Sequence, residues 1–218
     1  MQNDIALFVS VPVASFRVPR AREYFETLPC PPPSTIYGML LSLVGETNRH
    51  AHEGAEIAIA LMSQPEYSVV LRTLWRVKIR KQGLGQGENK RPDFQELLTN
   101  LRIIVWVRRG TAESAVSPLA DRVRQALAQP HTVSRFGGLS LGESTHLVDE
   151  IKLAREGETI TGKVLLQDEA GELSLPVWPD HVGSRNTSWR QFTLGDGVVN
   201  TQPDERAWVV IRRETSLE

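Results

Sequence analysis

Four prolines in five positions, Pro29 and Pro31 to Pro33, constrain this 218-residue chain more tightly than any other feature. Proline fixes φ and pushes the residue before it out of helical space, so Cys30 to Pro33 is extended and no helix begins before Pro33. Ser34 then stands as the expected N-cap, its hydroxyl accepting from an unpaired amide of the first turn. Ile36, Met39, Leu40, Leu43 and Val44 recur at helical spacing and mark a buried face. Gly38 is expected to let this helix lie close on a sheet, and Gly45 to end it. Upstream, the apolar run Ile5 to Val13 reads as a strand that feeds Arg17, Arg20 and Arg22. Three phosphate-seeking side chains thus flank a fixed strand-to-helix connection. On its own, this is also what any well-specified helix start looks like.

Two further apolar runs extend the pattern. Ala55 to Met62 reads as a strand ended by Pro65. Tyr67 to Ile79 is β-branched and aromatic, with Val69, Leu71, Thr73, Trp75, Val77 and Ile79 on one face. The opposite face carries Val70, Arg72, Leu74, Arg76, Lys78 and Arg80. Leu98 to Arg108 pairs back against it. Between them, Gly83, Gly85, Gly87 and Asn89 accompany Lys81, Lys90 and Arg91, which reads as a mobile, cationic hairpin tip projecting as a thumb over about residues 80–97. Ser117 is the expected cap of a second helix that starts at Pro118, with Leu119, Val123, Ala126 and Leu127 as its apolar stripe until Pro130.

A last strand is expected between Leu139 and Leu153. The resulting order suits an α+β split βαβ, ferredoxin-like sheet with helices on one face, over residues 1–150. Short β segments at Thr159 to Gln167, Glu172 to Val177, Ser188 to Leu194 and Ala207 to Arg212 make 151–218 a small β-rich C-terminal region. The five tryptophans fall mostly on strand patterns and are assigned to the core or to protein interfaces.

The net charge of −1 is unevenly distributed. Arg72 to Arg109 holds ten basic residues against three acids, whereas Leu141 to Asp180 holds nine acids against three bases. Such segregation can create a phosphate-recruiting face on a nearly neutral protein, although a charge run is also how a surface stays solvated. The single cysteine, Cys30, removes any internal disulfide or cysteine-based zinc site and points to a reducing cytoplasm. No apolar run reaches the roughly 20 residues needed to span a bilayer, and no charged-then-apolar leader opens the chain. No metal or cofactor motif stands out.

Far downstream, Arg135-Phe136-Gly137-Gly138-Leu139-Ser140-Leu141-Gly142-Glu143-Ser144 forms a glycine-rich segment. Gly137 and Gly138 lack the side chains that would keep a phosphate or base from the backbone. Spacing alone favours a tight turn closing a strand.

Together, Ser15-Phe16-Arg17, Pro31-Pro32-Pro33-Ser34-Thr35, Ile36-Tyr37-Gly38-Met39-Leu40 with Gly45, and the Arg135 to Ser144 segment resemble a CRISPR-associated family. These are RAMP-superfamily subunits, Cas family five, of type I Cascade complexes. The resemblance implies a ferredoxin-like, RRM-like fold and a non-catalytic subunit that caps the 5′ handle of the guide RNA (crRNA). It also implies partners: the Cascade backbone subunit, the large subunit, the processing subunit, and target DNA reached through the complex, with no membrane. The implied RNA contacts are Arg17, Arg20, Arg22, Ser34, Lys78, Arg80, Lys81, Lys90, Arg91, Arg135, Phe136, Gly137, Gly138 and Gly142. Many family members carry arginine where this chain has Glu143.

The rival reading is a metal-independent endoribonuclease that processes precursor crRNA. Cleavage needs one group to take the 2′-OH proton and another to protonate the leaving oxygen. The histidines are His50, His52, His131, His146 and His181, with Tyr24, Tyr37 and Lys81 as conceivable partners. His50 and His52 read as surface residues of a polar loop. His146 follows the glycine-rich segment and lies nearest the expected RNA path. A third reading is a pure protein-interaction subunit with little RNA contact of its own.

Overall fold

A computed structural model describes residues 4–19, 21, 24–154, 160–180, 186–199 and 202–213. In chain order the elements are β1 (Ile5–Ala14), β2 (Tyr24–Phe25), α1 (Pro33–Leu43), β3 (Glu56–Leu61), β4 (Glu66–Trp75) and β5 (Lys90–Arg108). There follow α2 (Leu119–Ala128), β6 (Glu150–Leu153), β7 (Thr161–Gln167), β8 (Leu173–Trp178), β9 (Ser188–Val198) and β10 (Val209–Val210). The ten described strands form one sheet in the order β6-β1-β5-β3-β7-β9-β8, with β10 beside β3 and β2 and β4 beside β5. All pairings are antiparallel except β2 with β5. The C-terminal strands join through Ala60↔Val164 and Leu61↔Lys163.

Strand β5 is the spine. Its run Leu101 to Val107 is apolar at nearly every position because both faces are covered. On one side Leu101, Ile103, Val105 and Val107 pack with Leu7, Val9 and Val11 under α1 and α2. On the other, Ile104 and Trp106 pack with Ala58, Ala60, Val199, Ala207 and Trp208. The far half of β5, Lys90 to Thr99, leaves this core and pairs with β4. The ladder steps between the two halves: Leu61 lies opposite Ile103 and Glu66 opposite Thr99, so one extra residue sits on the β3–β4 side. Asn100 takes up that step with a φ of 55°.

Helix α1 buries Ile36, Met39, Leu40 and Leu43, as the spacing predicts. Its start is different. Pro32 is the N-cap, with no side-chain cap bond, and its carbonyl accepts from Thr35 N and Ile36 N at 2.9 and 3.1 Å. Ser34 lies inside the helix, half-buried. Gly38 faces outward with open space where a Cβ would be, so close packing is not its reason. Gly45 does end the helix: at φ 67° its N–H reaches Ser42 O, while Glu46 N reaches Leu41 O.

Helix α2 also lacks the expected cap. Pro118 precedes it, and the amide of Leu119 donates to the Glu113 carboxylate at 2.8 Å, so Ser117 does not serve. Among the described residues no helix is long and apolar enough to cross a membrane.

Candidate nucleic-acid interface

Three segments distant in sequence meet beside the far half of β5. The chain leaving β1 folds back, with Phe16 N donating to Thr27 Oγ1 at 2.8 Å and Leu28 N to Phe16 O at 2.8 Å. It then runs as β2 alongside β5, pairing Tyr24 with Phe94 and Phe25 with Gln95. The glycine-rich segment closes on itself through Leu141 N to His146 O and Val148 N to Leu139 O, both at 2.9 Å.

His146 Nδ1 accepts two main-chain amides, Ser15 N at 3.2 Å and Glu143 N at 3.3 Å. Gly142, at φ 96°, makes this approach possible, because a Cβ there would lie 2.6 Å from Ser15 O. Glu143 then reaches the hairpin: its carboxylate accepts from Arg72 and from Gln95 Nε2, each at 2.7 Å. Arg72 also donates to Gln95 Oε1.

The electrostatics of this junction follow from burial and pairing. Burial pushes the Glu143 carboxyl up, but hydrogen bonds from Arg72 and Gln95 outweigh it and hold the group below its ordinary value. Burial holds the His146 imidazole below its ordinary value; Glu143 opposes that shift and Arg72 adds to it. Glu143 is thus an acid matched by a cation from β4.

The expected contact residues are distributed unevenly. Arg17 is exposed, its guanidinium 4.0 Å from the Phe25 ring centroid and donating to Ala21 O at 2.8 Å. Arg20 and Arg22 lie outside the described residues. Arg135, Phe136, Gly137, Gly138 and Gly142 are exposed, and the Phe136 side chain stands in solvent rather than in the core. At the hairpin tip, Lys78 pairs with Glu88, and Arg91 pairs with the buried Asp93 at 2.8 Å. Arg80, Lys81 and Lys90 are exposed and make no ion pair among the described residues. Elsewhere Arg108 is held by Glu56 and Glu205. The cationic surface is therefore smaller than the ten-to-three count of the sequence implies.

Two functional features escape sequence reading. Asn89 is fully buried at the hairpin tip, where Oδ1 accepts from Lys78 N and Ile79 N, both at 2.8 Å. Its Nδ2 donates to Ile79 O at 2.9 Å and Gln82 O at 2.7 Å. The other is the exposed apolar face of the hairpin, where Tyr67, Val69, Leu71, Trp75 and Phe94 are all open to solvent and Trp75 is 71% exposed. The alternation of Tyr67 to Ile79 signals that face, but not that none of the described residues covers it. Trp106, Trp178 and Trp208 are in the core.

Among the described residues the histidines do not assemble as an acid–base pair. His52 is buried rather than on the surface, its Nδ1 2.8 Å from Glu113 Oε1 and its Nε2 2.9 Å from Arg122. His50 pairs with Glu53 on the surface at 3.1 Å. Tyr37 donates its hydroxyl to Arg49 O at 2.7 Å inside the core, and burial pushes its pKa up. His131 is exposed on the turn after α2, and His181 lies outside the described residues. Cys30 is buried, which pushes its thiol up to about 12 and removes it as a nucleophile.

Comparisons with known proteins bear on the family and the fold. A family model described as CRISPR-associated protein (Cas_Cas5) matches residues 4–215. A Myxococcus xanthus (strain DK1622) protein named CRISPR-associated protein Cas5 is 46% identical over 186 residues, covering 85% of this chain and 87% of its own. Among solved structures, one described as a CRISPR RNA-guided surveillance complex superposes with a TM-score of 0.62 at 14% identity, covering 94% of this chain and 95% of the other. Another, described as the crystal structure of a Cas protein, gives 0.50 at 14% identity, covering 97% and 98%. These two share the fold. With a family match over nearly its whole length and a relative at this level of identity, the chain belongs to the CRISPR-associated Cas5 family.

Proposed function

We propose that this protein is a non-catalytic subunit of a type I Cascade complex that grips the 5′ handle of crRNA and bridges the backbone subunits to the large subunit. The observation that carries the reading is the meeting of the β1 exit, the glycine-rich segment and the β4–β5 hairpin around Glu143 and His146. It gathers Arg17, Arg135, Phe136 and the exposed Arg80, Lys81 and Lys90 onto connected elements. Single-stranded RNA is held by such a combination of cations, open main chain and a stackable ring.

The strand order β6-β1-β5-β3, with a helix after the first and third of these in chain order, supports the ferredoxin-like reading of the RAMP domain. The β4–β5 hairpin, extending past the core with its cations at the tip, supports the thumb. A structural rather than cleaving role is supported by His146, whose Nδ1 is occupied by two amides, and by His52, buried between Glu113 and Arg122.

The test is affinity purification of the assembled complex followed by sequencing of its short RNA. The wild-type complex is expected to carry crRNA with a defined 5′ end, and a variant with Arg80, Lys81 and Lys90 all changed to Glu is expected to lose most of it. Equal crRNA in both would overturn the assignment. Cutting of a repeat hairpin by the isolated protein would turn it toward the nuclease.

A further inference from the structure

His146 sits 131 residues from its hydrogen-bond partner Ser15, and it joins the two segments that the proposed RNA site depends on. Ser15 directly precedes Phe16 and Arg17, so fixing its amide fixes where the β1 exit leaves the sheet. Glu143, the second donor to Nδ1, is also the residue that anchors the loop to Arg72 and Gln95 on the hairpin. One ring nitrogen therefore connects the strand exit to the loop, and the residue beside it connects the loop to the hairpin.

The chemistry of that nitrogen is dictated by its partners. Main-chain N–H groups are always donors, so Nδ1 must be the bare acceptor nitrogen and the ring proton must sit on Nε2. A proton added at Nδ1 would face two N–H groups and turn both attractions into repulsions. The charged groups facing the ring are Glu143 from its own loop and Arg72 from β4; the β1 exit presents the Ser15 main chain, and the Phe16 ring adjoins Gly142. Glu143 is already matched by Arg72 and Gln95, so it is poorly placed to welcome a second cation.

We propose that His146 is a positioning residue for guide-RNA retention, a neutral latch that holds the strand exit and the glycine-rich loop in register and opens when Nδ1 is protonated. This rests on the RNA-binding reading above. It assigns His146 no contact with RNA and no proton transfer to it.

Asparagine and glutamine distinguish the latch from other roles. The Oδ1 of Asn falls near the place of histidine Nδ1, whereas the Oε1 of Gln falls near Nε2. His146→Asn therefore keeps an acceptor for Ser15 N and Glu143 N, while His146→Gln and His146→Ala remove it. Each variant is carried in the assembled complex, and bound crRNA is measured at neutral pH and after a shift to about pH 5, below the ordinary histidine pKa.

At neutral pH the Asn variant is expected to retain crRNA as the wild type does, with about tenfold loss in the Gln and Ala variants. On acidification the wild type is expected to release crRNA and the Asn variant to keep it. Equal retention by all four proteins, or failure of Asn to rescue, overturns the latch. So does acid release that is the same in wild type and Asn variant, and that arm stands even if the Ala variant fails to assemble. Loss of the RNA-binding reading looks different: the wild-type complex would carry no crRNA at any pH.

Discussion

Asn89 uses both ends of its amide inside the hairpin tip, satisfying two N–H groups and two carbonyls that the turn would otherwise leave open. Asn89→Ala removes those bonds, each worth about 0.5–1.5 kcal/mol net. Amide hydrogen exchange at Lys78 and Ile79 is expected to accelerate by tenfold or more, while Val105 in the core is unchanged; undisturbed exchange at the tip would show that another contact organises it. His146 carries a separate prediction about stability. Its folded pKa lies below the unfolded value, so its stabilising contribution is complete above about pH 6.5 and is lost as pH falls through the folded value. Tm measured against pH should fall on that acid limb for the wild type and less steeply for His146→Asn; parallel limbs would mean the ring titrates equally in both states. Neither role is legible in sequence. An asparagine among glycines reads as turn composition, and a histidine after a glycine turn has no periodicity to say that its partner lies at Ser15.

The elements themselves were largely legible where one physical signal dominates. The period of Ile36, Met39, Leu40 and Leu43 defines the buried face of α1, and the unbroken apolar run of β5 reflects a strand covered on both sides. Leu40→Ala should cost about 2–5 kcal/mol, read as a lowered midpoint in urea unfolding, because a fully buried leucine between helix and sheet leaves a cavity. A cost below 1 kcal/mol would place that face outside the core. Helix starts were misread because the partners came from elsewhere. Pro32 caps α1 through its carbonyl, and Glu113, six residues before Leu119, caps α2. The expected strand Tyr67 to Ile79 ends at Trp75, since the chain beyond it is drawn in by Asn89 rather than by a ladder partner. The exposed β4 face, Val69, Leu71 and Trp75, has the alternation of a half-buried strand, and sequence carries no sign of which face stays open.

Across the whole molecule, charge is segregated along the sequence but much of it is matched in space. Arg72, Lys78, Arg91 and Arg108 each find a carboxylate, which leaves Arg80, Lys81 and Lys90 exposed at the hairpin tip without an ion pair among the described residues, and Arg102 and Arg109 exposed away from it. The family was readable because the proline block and the glycine-rich segment are local motifs. The meeting of the β1 exit, the glycine-rich segment and the β4–β5 hairpin was not, because it depends on β5 extending past the core, on His146 reaching Ser15 and on Glu143 reaching back to β4. If phosphates meet those tip cations, binding must weaken with salt, by a slope of about −0.7 for each phosphate contact on a single strand. The most direct measurement is therefore crRNA affinity of the assembled complex as a function of salt, for the wild type and for the Arg80, Lys81, Lys90 to Glu variant. Loss of three contacts predicts that the slope of log K against log salt becomes shallower by about 2. Two lines of equal slope would contradict an RNA site at the hairpin tip.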